Sequence, residues 1–225
     1  MSTKLINFIR DYYSTNDVIP LHAPVFVGAE EKYVVDTIRS TFVSSVGEFV
    51  NRFENDMAAY LGCDSAVTTV NGTAALHIAL KLVGVEAGDL VITQSLTFVA
   101  TCNAIKYIGA DPVFIDVDRH TLGLSAKALG LWLDENAVID DDGICRDKLE
   151  NRIIRACVPM HTFGHPVDLD GLLKLTKIWK IALVEDAAES LGSFYKDQHT
   201  GTFGEVGTLS FNGNKIITTG GGGMI

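Results

Sequence analysis

Cysteine is scarce and scattered in this sequence. Cys63, Cys102, Cys145 and Cys157 are the only four, and no two of them form a C-x-x-C pair. That spacing excludes a zinc knuckle and a thioredoxin-type redox motif. Basic residues are also in short supply: 18 Lys and Arg against 28 Asp and Glu give a formal net charge of −10 at pH 7. A general nucleic-acid binder, or a protein docking on an anionic membrane surface, needs the opposite sign. An anionic substrate must therefore be held by local donors, because the overall field repels it. No run of about 18 apolar residues occurs, so no helical membrane span is expected. The opening MSTKLINFIRDYYSTND has neither the apolar stretch nor the small-residue cleavage site of a signal peptide. A reducing, cytoplasmic setting is the expectation. Also missing is a G-x-G-x-x-G run after a strand, which counts against a dinucleotide-binding oxidoreductase.

What is present is an alternation of helix and strand patterns. Val34, Ile38 and Phe42 recur at spacing four and predict an amphipathic helix over 29–42. Phe49, Phe53, Met57 and Leu61 predict another, stopped at Gly62. Residues 73–83 are apolar nearly all round, so that helix is expected to be buried on most sides. LVIT (90–93), PVFIDV (112–117), IIRACVP (153–159) and IALV (181–184) read as strands, with helices over 98–108, 125–136 and 168–179. The DDDG run at 140–143 lacks the alternate acids and terminal Glu of a calcium loop, and reads as a solvated turn. Strands separated by helices of about ten residues imply crossover units and a mostly parallel sheet covered on both faces. The expected organisation is an N-terminal helical segment over 1–23 and one α/β layer domain over 24–225. The closing GGGGMI looks like the start of another strand. That strand is expected to lack a neighbour, and the chain to be the N-terminal part of a longer protein.

Four places could carry chemistry. Asn71-Gly72-Thr73 precedes the buried helix and offers free amides and a hydroxyl to an anion, or serves as an ordinary cap. Glu185-Asp186 with Glu189 lies after a buried strand, where open α/β sheets bind ligands, or forms a capping-box-like pair. Ser210 to Lys215, followed by Gly220–Gly223, fails the P-loop spacing. Four consecutive glycines nevertheless suit a site where something packs close to the backbone. His161 and His165 are four apart, but Gly164 and Pro166 make a turn, so hydrogen bonding and packing are favoured over metal ligation.

Together these pieces resemble a known family, the fold-type-I, pyridoxal-phosphate-dependent nucleotide-sugar aminotransferases of the DegT/DnrJ/EryC1/StrS group. The matching stretches are NGTAALHIAL (71–80), TFVAT (97–101), GADPVFIDVD (109–118), VPMHTFGHPVDLD (158–170), VEDAAESLGS (184–193) and SFNGNKIITTGGGGM (210–224). They occur in the family's order from about Pro24 onward. SFNGNK with HTFGHP is most similar to the LegC-like branch. The resemblance implies the large three-layer α/β/α domain, without the smaller C-terminal domain, and pyridoxal 5′-phosphate (PLP) as cofactor. It implies Lys215 as the covalent anchor and Asp186 as partner of the pyridine nitrogen. Gly72, Thr73 and Ser210 fall at phosphate-binding positions, and Phe98 at the aromatic that stacks on the ring. Glu189 stands where many relatives have Gln or His near the phenolic oxygen, and His161 lies close to the cofactor. Sugar dehydratases of the group have His in place of the lysine, so Lys215 selects the aminotransferase branch. The implied reaction moves an amino group from glutamate to C4 of a UDP-linked 4-keto-6-deoxy-N-acetylhexosamine, on a legionaminic-acid-type route to surface polysaccharide. The implied enzyme is a homodimer. Alternatives are a C3 position, a dTDP- or GDP-linked sugar, or a non-catalytic fragment.

Overall fold

A computed structural model describes residues 2–225; Met1 lies outside it. In chain order the elements are α1 (Thr3–Tyr13), α2 (Glu30–Ser40), α3 (Glu48–Leu61), β1 (Thr68–Thr69), α4 (Gly72–Leu82), β2 (Leu90–Gln94), α5 (Val99–Ile108), β3 (Asp111–Ile115), α6 (Ala126–Asn136), β4 (Ala137–Ile139), β5 (Cys145–Asp147), β6 (Ile154–Val158), α7 (Leu169–Trp179), β7 (Ala182–Asp186), β8 (Phe194–Tyr195), β9 (Gln198–His199), β10 (Val206–Ser210) and β11 (Gly223–Met224). A short 3₁₀ turn spans Thr162–Gly164.

The central sheet runs β1-β11-β10-β7-β6-β2-β3. Its neighbours from β10 through β3 pair in parallel, and β11 is antiparallel to both β10 and β1. The mostly parallel α/β sheet expected from the sequence is therefore present. Both faces are buried, and strand alternation sorts the side chains. Val91, Ala156, Val158 and Val184 pack with Leu76, Ala79 and Leu80 of α4 and Ala104 and Ile105 of α5. Ile92, Cys157 and Leu183 face the other way, onto Leu129 and Leu133 of α6 and Leu169 and Leu172 of α7. A third cluster joins Met57 of α3 to Leu209, Phe211 and Met224.

Five expectations need correction. β11 is not an unpaired strand: Met224 is in register with both Leu209 and Thr68, so the glycine-rich segment sits inside the sheet. The N-terminal segment is helical only over Thr3–Tyr13. The apolar stripe of the helix predicted over 29–42 is exposed at Val34 and Ile38, and Phe42 lies beyond the helix end and is exposed too. Periodicity fixes which face is apolar; burial also needs an element opposite it, and among the described residues α2 has no such partner along that stripe. Likewise α4 buries Ala75, Leu76, Ala79 and Leu80 but leaves Ile78 and Leu82 exposed. Pro112 is the second rather than the first residue of β3, and it is tolerated because β3 is the sheet's edge.

Candidate active site

The C-terminal ends of parallel strands meet the N-terminus of α4 around a cavity of ≈ 300 Å³. Gly72, Thr73, Phe98, Asp186, Glu189, Ser210 and Lys215 all line it. Seven of the eight residues picked out from the sequence are thus brought together, from segments far apart in the chain.

Asn71 caps α4, its side-chain oxygen accepting from Ala74 N at 2.8 Å. Ala75 N donates to the Asn71 carbonyl. Helix geometry leaves the amides of Gly72 and Thr73 without intrahelical acceptors, at the positive end of the helix dipole. The same turn thus caps the helix and leaves these two amides free, so a cap here does not exclude an anion site. A Cβ on Gly72 would lie 2.9 Å from Ser210 Cβ, and one on Gly223 would lie 2.6 Å from Gly72 N. Two of the glycines are thus explained by close approach: β11 passes against the backbone that turns into α4.

Strand parity sets the acids. β7 runs to Asp186, two residues past the expected end, and residues 187–192 form turns rather than a helix, which removes the capping-box alternative. Asp186 shares a face with Val184 and reaches α5, where Thr101 Oγ1 donates to its carboxylate at 2.7 Å. Ala188 N donates to the other oxygen at 3.2 Å. Burial pushes the Asp186 carboxyl above the ordinary Asp value, against the opposing pull of those donors and the Lys215 charge. Thr97 and Thr101 hydroxyls are 3.0 Å apart, which extends this chain of hydrogen bonds.

Glu185 shares its face with Leu183 and points away from the cavity. It is fully buried and accepts from His161 Nε2 at 3.0 Å, Gly201 N at 2.8 Å, Phe203 N at 2.6 Å and Gly204 N at 2.8 Å. Burial alone would favour its neutral form, but these donors outweigh it and hold the carboxyl below the ordinary Glu value.

His161 is not brought to the cavity. Its ring is buried, donating from Nε2 to Glu185 while Nδ1 accepts from Val167 N at 3.3 Å. Both nitrogens are used by the protein, so the ring supports the turn behind Asp186 and does not line the site. His165 is exposed, and among the described residues no group of three His, Cys, Asp or Glu side chains could hold a metal.

Lys215 Nζ lies 3.3 Å from Glu189 Oε1 and 5.9 Å from the centroid of the Phe98 ring, which is largely exposed. Glu189 Oε2 accepts from Phe163 N at 3.2 Å. A second cavity of ≈ 310 Å³, lined by His22, Phe163, Glu189, Asn214, Lys215 and Ile216, adjoins the first. The segment before residue 24 thus contributes to the site.

Sequence reasoning missed Thr101, Asn214, His22 and Gln94. Gln94 ends β2 and is fully buried; it accepts from Leu124 N (2.7 Å) and Met160 N (3.2 Å) and donates to Leu96 O (2.9 Å) and Thr162 Oγ1 (3.0 Å). The signal for it was a polar amide closing an otherwise apolar strand. Thr101 and Asn214 lie inside the TFVAT and SFNGNK stretches without being singled out there, and nothing local marked His22.

The chain is similar to known proteins in sequence and in fold. The chain is 40% identical over 207 residues to GDP-perosamine synthase of Escherichia coli O157:H7, covering 92% of this chain and 52% of that one. An aminotransferase structure from Psychrobacter cryohalolentis superposes with a TM-score of 0.79 at 32% identity, over 92% of this chain and 48% of that one. Spr1654 of Streptococcus pneumoniae, in its PLP-form, gives 0.76 at 28% identity, over 92% and 52%. The chain spans about half the length of these relatives. Residues 26–225 match the model of one family, whose aminotransferases depend on PLP. This chain belongs to that family, the DegT/DnrJ/EryC1/StrS aminotransferases.

Proposed function

We propose that the cavity binds PLP and that the enzyme formed by this chain moves an amino group from glutamate to a keto carbon of a nucleotide-linked sugar. One observation carries the reading: a lysine amine, a buried carboxylate and a helix N-terminus converge on one cavity. The donor set fits the cofactor. The amides of Gly72 and Thr73, with the Thr73 and Ser210 hydroxyls, suit a phosphate dianion. A side chain at residue 72 would close that cradle against Ser210. Asp186 is held in a dry setting that disfavours its charge, and a protonated ring nitrogen would relieve that cost. Phe98 offers a flat apolar face to one side of a ring.

PLP bound there supplies an electron sink for the carbon that carries the amino group. The chain's own residues do the rest. Lys215 Nζ would be the covalent anchor and, when free, the base that could carry a proton from that carbon to the cofactor carbon that had held the lysine. Asp186 would favour a charged ring nitrogen, Phe98 would cover one face of the ring, and the α4 amides would hold the phosphate. His161 and Glu185 act behind them by fixing the turn that carries Asp186. A homodimer, with each subunit completing the other's site, belongs to the same proposal.

Two sugar classes compete. The likeness to GDP-perosamine synthase supports a GDP-linked acceptor. SFNGNK and HTFGHP carry the LegC-like reading, a UDP-linked 4-keto-6-deoxy-N-acetylhexosamine. We favour the first, because that likeness spans 207 residues and the second rests on two short stretches. The test supplies the purified enzyme with PLP and glutamate and either keto sugar, and measures release of 2-oxoglutarate. Turnover faster with the GDP-linked sugar supports the proposal. Faster turnover with the UDP-linked sugar reverses the order, and turnover with neither removes both of these sugar classes.

A further inference from the structure

Glu189 is a carboxylate within reach of the amine that must react. Its Oε1 stands 3.3 Å from Lys215 Nζ, in a pair whose side chains are 13% and 30% exposed for Lys and Glu. Its other oxygen is fixed by the Phe163 amide, and Phe163 sits in a left-handed conformation at φ 53°. The turn around residue 163 closes tightly on residue 189: a Cβ on Gly164 would come within 2.6 Å of the Glu189 carbonyl. The carboxylate is thus held from two sides and pointed at one amine. Asp186 lies across the same cavity but is engaged by Thr101 and Ala188.

We propose that Glu189 is the resting partner of the uncombined Lys215 ammonium, a positioning residue that favours the lysine's release from PLP and keeps the amine beside the cavity until it is needed. The inference rests on the PLP reading of the site. Capture of PLP joins Nζ to the aldehyde carbon, expels the aldehyde oxygen as water, and requires the ammonium to give up a proton first. A carboxylate at 3.3 Å stabilises the ammonium, so it opposes capture and assists the reverse step, in which an amino substrate displaces the lysine. An enzyme that must free its lysine in every half-reaction gains from such a partner.

The sign of the effect distinguishes this role from a structural one. A prop that merely ordered Lys215 would, on removal, weaken capture. An ionic partner would, on removal, strengthen it. Glu189→Gln keeps an acceptor for Phe163 N and removes the charge; Glu189→Ser removes the charge and the reach. Each is incubated with graded PLP at neutral pH, reduced with borohydride, and the fraction modified at residue 215 is read by mass spectrometry, with melting temperature recorded alongside. The proposal expects half-maximal modification at about threefold lower PLP in the uncharged variants, the scale of a partly exposed ion pair. Either folded variant needing as much PLP as the parent, or more, overturns it. Absence of any adduct at residue 215 in the parent overturns instead the assignment of Lys215.

Discussion

The two sides of β7 treat adjacent carboxylates differently. On the side toward α6 and α7, Glu185 meets four donors, three of them backbone amides of the 201–204 loop. On the side toward α5, Asp186 meets one hydroxyl and one amide. Both are buried, yet the first is held below the ordinary Glu value and the second above the ordinary Asp value. Desolvation acts on both in the same direction; at Glu185 the His161 contact and the loop amides outweigh it, and at Asp186 the opposing contacts do not. A carboxylate saturated by backbone amides fastens a loop to the sheet. One left short of donors, beside a cavity, can still accept a cationic partner. The side of the strand that faces the cavity is the less satisfied one.

The largest effect that would break this comparison is at Lys215, the cation on the cavity side. Lys215→Ala should abolish the borohydride-reducible PLP adduct completely; an adduct of undiminished yield would mean that another amine does the work.

Asp186→Asn comes next. The hydroxyls of Thr101 and Thr97 can reverse their donation and satisfy the new amide. The raised carboxyl value means that ionised Asp186 costs stability, a cost that grows as pH rises through that value, and Asn removes it. The variant should melt at or above the parent at neutral pH while its half-reaction with glutamate slows by on the order of a hundredfold. Stopped-flow absorbance and calorimetry measure the two. A large fall in melting temperature would make Asp186 a structural residue like its neighbour.

Glu185→Gln should show the opposite pattern. It turns a saturated acceptor into a group that presents N–H donors to other donors, a loss of about 3 kcal/mol or more. Because the folded Glu185 value is depressed, its contribution is fully present above the ordinary value of 4.5 and is lost as pH falls through the lower folded value. Denaturant melts of parent and variant should therefore differ at pH 7 and converge in acid. A constant difference across that range would show that packing, not charge, is what Glu185 supplies.

Much of this site was legible in the chain because its signals are local. Asn71-Gly72-Thr73 before an apolar helix announces a cap and an anion cradle together, since both use the same unpaired amides. The run of glycines announced a close approach, and Gly223 against the Asn71–Gly72 backbone is that approach. The fate of His161 was not legible. Whether a histidine lines a cavity or supports the wall behind it depends on a carboxylate 24 residues away and on which side of β7 that carboxylate faces. The roles of Gln94 and Thr101 were not legible for a related reason, because their partners lie at Leu124, Met160 and Asp186.

The sequence by itself determined the alternation of elements, the parallel sheet, the cap of α4 and the set of residue types able to hold a phosphate, a ring and a lysine. These depend on periodicity, on caps and on side-chain chemistry, all of which act within a few residues. Tertiary structure alone decided which of two adjacent acids faces the cavity, which apolar stripes are covered, and where the last strand sits. Glu185 and Asp186 are one peptide apart, and pleating sends them to opposite faces. β11 reverses direction to fill the gap between β1 and β10, a position no local pattern encodes. Register and layer order are set by contacts between distant segments, and those exist only once the sheet has assembled.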